Sequence, residues 1–207
     1  MIRASVTQID KYAAYLGEED YPLDLLLRDL RGQTPRTPAM DRGHAFAKAM
    51  EHVQDGEDML VAEGHAFAFT CDAEVEAWPR RELKAEKDYG GIIVSARCDR
   101  LRGNVIMDDK TTGHFDAGDF EKYIDKFQWR YYLDIFGAQE FIWKIWETKE
   151  IDMAKHGGSG DYPGVTAAWE VFNCHTIRNY RYPELERECR ELAIDYKEFA
   201  ERVGVYA

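Results

Sequence analysis

Asp99, Asp108, Asp109 and Lys110 crowd into one short stretch, RCDRLRGNVIMDDKTTG, residues 97–113, beside the apolar runs GIIVSA and NVIM. Apolar runs of this kind build buried strands, where a charge without a partner is costly. Gly103-Asn104 suits a two-residue hairpin loop with glycine at the first central position. A turn there pairs Arg102 with Val105, and counting outward sets Asp99 opposite Asp108; a three-residue loop would shift that register. Directly opposed side chains have Cβ atoms about 4.5–5.5 Å apart, and like charges there destabilise a ladder. Residues two apart on a strand share a face, so Lys110 joins Asp108 while Asp109 points to the other side.

Two carboxylates forced together either share a proton or hold a cation. Hard oxygen ligands on an open face suit Mg²⁺ or Mn²⁺, which keep waters and take phosphate oxygens as further ligands. A metal held there can activate water and stabilise charge on a phosphate under in-line attack. Lys110 can orient or deprotonate that water, or steady the developing charge. The same residues also suit a plain Asp–Lys ion pair on a surface hairpin.

The surrounding chain must supply elements to position these groups. Ser5 with Gln8 forms a capping box and predicts a helix through QIDKYAAYL. Pro22 opens a second helix closing by Gly32, and Thr37-Pro38 opens a third that runs through AMDRGHAFAKAMEHV to near Gly56. The period then changes: DMLVAEGHAFAFT, RELKAEKDYGGIIVSARCD and NVIMDDK read as strands. A helix is predicted from Asp119 to Phe136, followed by strands QEFIWKIWETKEI and GVTAAWEVFNCHTI around the loop KHGGSGDYPG. From Pro183 onward the chain is an amphipathic helix with a solvated charged face. No repeat or composition shift marks a boundary, so residues 1–207 are expected to form one α/β (α+β) domain.

Asp99, a hairpin, then Asp108-x-Lys110 resembles the PD-(D/E)xK nuclease superfamily, and MDDKTTG is similar to the version found in its RecB-like, phage-exonuclease branch. QWRYY places Gln128 and Tyr132 at the spacing of the branch's Q-x-x-x-Y motif, and RGHAFAKAME matches the glycine and glutamate of its G-x-x-x-H-x-x-x-E helix at Gly43 and Glu51. SVTQIDKY is similar to the opening helix, so the resemblance spans about residues 5 to 135. It implies a restriction-endonuclease-like core, a central mixed β-sheet flanked by helices. It also implies a Mg²⁺-dependent (or Mn²⁺-dependent) deoxyribonuclease, an exonuclease on linear DNA in recombination, repair or phage replication. Asp99 and Asp108 would be metal ligands, with Glu51 and the backbone carbonyl of Asp109 as further ones, and Lys110 the catalytic lysine. Gln128 and Tyr132 would support the site and contact the DNA strand.

One position departs from the pattern. Ala47 stands where the branch has histidine, and His44, about one helical turn earlier, is the candidate substitute. A lost ligand implies one metal rather than two, a changed metal preference, or a catalytically silent nuclease fold used as a binding or assembly module. Cys71, Cys98, Cys174 and Cys189 do not match the spacing of the branch's iron–sulphur members, so no cluster is expected.

A net charge of -12 argues against nucleic-acid binding by overall charge. Local basic groups must then serve: Arg97, Arg100 and Arg102 on the hairpin, and Lys122, Lys126 and Arg130 as a helical stripe. Weak intrinsic DNA affinity could be offset by homo-oligomerisation or by a partner that binds DNA or anneals single strands. Unpaired cysteine spacing and the lack of an apolar leader or membrane-spanning run point to the cytoplasm, of a bacterial or phage-infected host cell.

Overall fold

A computed structural model describes residues 2–18, 20–73, 75–152 and 164–205. The capping box forms: the Ser5 hydroxyl accepts the Gln8 backbone N–H at 3.2 Å, and the Gln8 side chain accepts the Ser5 N–H at 2.8 Å. Strand β1 (Ile2–Ser5) therefore passes directly into helix α1 (Val6–Gly17). Pro22 precedes α2 (Leu23–Leu30), and Thr37 caps α3 (Pro38–Met50). The third helix stops at Met50, short of the expected Gly56, because the chain turns at Glu51 and His52 to enter β2 (Met59–Ala62) and β3 (His65–Phe69).

Next come β4 (Arg80–Asp88), β5 (Ile92–Arg102) and β6 (Val105–Thr112), then α4 (Asp119–Asp125) and α5 (Gln128–Phe136). β7 (Glu140–Glu150), β8 (Ala167–Tyr180) and α6 (Leu185–Arg202) complete the described chain. The loop KHGGSGDYPG lies outside the described residues except for Gly164. Among the described residues no helix is long and apolar enough to cross a membrane.

The eight described strands form one mixed sheet in the order β1-β5-β6-β7-β8-β3-β2, with β4 also paired to β5. β4 runs along one edge of β5 from Asp88–Ile93 to Arg80–Leu101. The other edge is shared: β1 takes Ile92–Ser95 in parallel, and β6 takes Arg100–Arg102 in antiparallel register. Between them, Ala96 to Asp99 face a fork in the sheet. The parallel β6–β7 pairing then continues from Val105–Glu140 to Thr112–Glu147.

β7 shows why the sheet is covered on both faces. Phe141, Trp143 and Ile145 belong to the core shared with Ile9 and Tyr12 of α1, Tyr131 and Leu133 of α5, and Tyr196 of α6. Trp146 points the other way, into a second core with Phe46 and Ala49 of α3, Phe67 and Val171. This period-2 alternation assigns Asp108 and Lys110 to the α1/α5 face and Asp109 to the opposite one. The result is a mixed α/β fold, a central mixed sheet flanked by six described helices, consistent with a restriction-endonuclease-like core.

The helix expected over Asp119–Phe136 is two helices, with Lys126 in extended backbone at the break (φ -56°, ψ 137°). Side chains from α5 satisfy the carbonyls left open at the end of α4. Trp129 Nε1 donates to Ile124 O at 2.9 Å, and Arg130 Nη1 donates to Asp125 O at 2.9 Å. Asp10 of α1 then accepts the Gln128 N–H at 3.0 Å, acting as a cap from a distant segment.

Candidate active site

The hairpin turns at Gly103-Asn104, with Gly103 at φ 60° and Arg102 paired to Val105. The regular β5–β6 pairing ends at Arg100–Met107, one step before Asp99 and Asp108 would meet. The strands part there, and Asp99 Oδ2 takes up the Asp109 N–H at 3.4 Å. A strand residue's N–H and C=O leave the chain on the same edge, so the Asp109 carbonyl also faces the fork.

Asp108 is buried, its side chain only 3% exposed, and it forms an ion pair with Lys110. Gln128 Nε2 donates to its other oxygen, Asp108 Oδ1, at 3.1 Å. The Lys110 ammonium also lies 5.4 Å from the Trp143 ring centroid. Burial and the neighbouring Asp108 push the Asp99 carboxyl up to about 8. Asp108 is raised as well, by burial against the opposing pull of Lys110. For Lys110, burial works to lower the pKa, but Asp108 and Asp99 outweigh it and hold the ammonium charged.

Asp99, Asp108, Lys110, Gln128 and Tyr132 line one cleft of about 520 Å³. Tyr132 lies on the wall of this cleft. Its ring is buried, 7% exposed, and its hydroxyl donates to Arg97 O at 2.8 Å. It therefore fixes the β5 backbone two residues before Asp99.

The carboxylate of Asp109 is committed to the opposite face, where it pairs with Arg100 and accepts Trp146 Nε1 at 2.7 Å. Only its backbone reaches the fork. Glu51 caps the end of α3 and pairs with Lys48. It shares a cavity of about 10 Å³ with Ala47, Glu82, Asp99 and Asp109, near the size of a single water. Ala47 thus leaves open a space beside Asp99 that a larger side chain would enter. His44 does not replace it: its Nε2 lies 3.3 Å from Glu63 Oε1. Gly43 lies against Thr111, next to Lys110 in the chain.

The donor set is therefore two carboxylates, Asp99 and Asp108, with the Asp109 carbonyl on the same edge. Among the described residues no group of three or more His, Cys, Asp or Glu side chains is placed to enclose a metal ion. The arrangement fits a divalent cation that keeps waters and takes substrate oxygens, the habit of Mg²⁺, and not a closed all-protein cage.

The expected basic stripe does not form. The break at Lys126 separates its members, and each is engaged: Lys122 with Asp119 at 2.6 Å, Lys126 with Asp10 at 3.5 Å, Arg130 with Tyr182 at 3.2 Å. Arg100 is buried against Asp109, and Arg102 pairs with Glu76 at 3.2 Å. All four cysteines are free thiols.

Two residues at the site escaped the sequence reading. Asp10 gives no local sign of capping a helix 118 residues away. Glu82 sits across from Asp99, between the register pairs Arg81–Arg100 and Leu83–Cys98, with a left-handed φ of 53°. Non-glycine residues adopt that conformation at a cost and concentrate at functional sites.

No protein-family profile and no curated protein sequence matches the chain. Among the solved structures that match, two align with nearly all of it. The crystal structure of LHK-Exo in complex with dAMP covers 99% of this chain and 94% of its own, at 12% identity and a TM-score of 0.41. The crystal structure of SSO0001 is matched at 13% identity over 96% of this chain and 77% of that one, with a TM-score of 0.55, a similarity of fold.

Proposed function

We propose that the protein is a metal-dependent DNA nuclease, acting as an exonuclease on linear DNA in recombination, repair or phage replication. The observation that carries this reading is the convergence of Asp99, Asp108, Lys110 and Gln128 at the fork between β5 and β6. Asp99 and Asp108, with the Asp109 carbonyl, would hold Mg²⁺ or Mn²⁺. That ion, when bound, supplies an activated water and a counter-charge for the phosphate under attack.

The chain's own residues do the rest. Gln128 fixes one oxygen of Asp108, leaving the other facing Lys110. Lys110, held charged by the carboxylates beside it, acts as a cation and hydrogen-bond donor toward the phosphate rather than as a base. Tyr132 holds the β5 backbone and so the position of Asp99. A second reading, a silent nuclease fold used for binding or assembly, is motivated by Ala47 and by the ion pair that Lys110 and Asp108 already make.

End-labelled linear DNA and closed circular DNA, incubated with Mg²⁺ or Mn²⁺, separate these readings. Loss of linear DNA from its ends, with circles spared, is the expected result. No cleavage of any DNA or RNA, together with no calorimetric binding of millimolar metal, would establish the silent module.

A further inference from the structure

The cleft that holds Asp99 and Asp108 has a second wall that carries Lys84 and Arg97, with Glu86 beside them engaged by Arg3 at 2.7 Å. Lys84 on β4 and Arg97 on β5 are register partners in the antiparallel ladder. Two cations therefore face each other at a spacing where like charges destabilise a sheet. Arg97 is tied to Glu82 at 3.1 Å yet its side chain remains 57% exposed. Lys84 is exposed and makes no ion pair or side-chain hydrogen bond among the described residues, although it lines the cleft.

The start of α1 completes this wall. Ser5 and Thr7 line the cleft, and the first turn of the helix carries no acidic residue. The capping box already occupies the Ser5 and Gln8 N–H groups, so the helix start contributes the partial positive charge of a first turn that carries no carboxylate. In a chain of net charge -12, a lysine unpaired among the described residues, a largely exposed arginine and a helix start without an acidic residue thus meet on one side of one cleft.

Arg97 precedes Asp99 by two residues on β5, a step of about 6.7 Å along the strand. The cationic wall therefore lies roughly one nucleotide's reach from the acidic one. The geometry points to Lys84, with Arg97 and the α1 N-terminus, as the contact for the phosphate adjacent to the one that faces Asp99 and Asp108. The inference rests on the nuclease reading for that second phosphate. It adds that the cleft takes a polynucleotide strand, not an isolated phosphodiester.

Binding of a fluorescently labelled oligothymidylate in EDTA, titrated with salt, tests this apart from cleavage. Losing one phosphate contact to a single strand lowers the slope of log K against log salt by about 0.7. Lys84→Ala is expected to show that drop and Lys84→Arg to restore the slope. Arg187→Ala, on the exposed face of α6, is expected to keep it. An unchanged slope in Lys84→Ala, an equal drop in Arg187→Ala, or no binding by the unaltered protein at low salt overturns the inference. Lys84-dependent binding by a protein that cleaves no DNA with Mg²⁺ or Mn²⁺ would remove the nuclease reading and leave the phosphate contact standing.

Discussion

Asp10 accepts the backbone N–H of Gln128 at 3.0 Å, and its other oxygen faces Lys126 Nζ at 3.5 Å. One carboxylate on α1 thus starts α5 and sets where the Gln128 side chain leaves the backbone to reach Asp108. Loss of a helix cap costs about 1 kcal/mol, which in a chain of this length lowers Tm by about 2–4 °C. Asp10→Ala should show that drop in calorimetry, whereas Asp10→Asn keeps an accepting oxygen and most of the stability. Cleavage rates should follow the same order. Equal rates for the two variants would show that Gln128 does not depend on this cap.

Lys110→Ala and Asp108→Ala should each abolish digestion of linear duplex DNA while the circular dichroism spectrum stays native. The expected loss is at least about 10²–10³-fold, the scale for removing a group that stabilises transition-state charge. Gln128→Ala should cost less, since it frees one oxygen of Asp108 but removes neither the carboxylate nor the ammonium. A Lys110→Ala protein that digests DNA normally would leave the Asp108–Lys110 pair as a structural contact.

Asp99 links metal to pH. Burial and Asp108 raise its carboxyl to about 8 in the folded chain, against about 3.9 when unfolded. Between those values the folded state holds more protons than the unfolded one, so stability falls as pH rises from about 4 to about 8. Chemical denaturation of metal-free protein should show that decline, and Asp99→Asn should flatten it. Millimolar Mg²⁺ should raise the stability of the unaltered protein at the upper end of the range by mass action. An equal Mg²⁺ effect in Asp99→Asn would place the ion elsewhere.

Local signals carried much of the fold. The Ser5–Gln8 capping box, the Gly103-Asn104 turn and the alternation through MDDK each act over a few residues, and each reads directly from the chain. The same alternation separates Asp108 and Lys110 from Asp109. What could not be read is decided by distant partners. The break in Asp119–Phe136 depends on Asp10 and on Trp129 and Arg130 folding back over α4. The basic stripe failed for the same reason: a period of 3.6 holds only while one helix continues. Glu82 gives no local cue either, because its left-handed backbone arises across from Asp99, where the sheet parts.

Arg100 and Asp109 form an ion pair whose side chains are 3% and 2% exposed, on the face of β6 turned away from the cleft. Arg100 also donates to Glu76 O at 3.1 Å, and Asp109 accepts from Trp146 at 2.7 Å, so the pair joins the hairpin to β7 and to the segment before β4. Removing one partner of a buried pair strands the other charge, at a cost of about 3–5 kcal/mol. Arg100→Ala should therefore be among the most destabilising single changes near the site, measured by urea unfolding. Replacing both partners, as Arg100→Met with Asp109→Leu, should recover much of that loss, because no uncompensated charge stays buried. The Asp109 carboxylate faces away from Asp99, so the double variant should still bind Mg²⁺ in calorimetry. Loss of metal binding in a folded double variant would show that Asp109 contributes its side chain, and not only its backbone carbonyl, to the site.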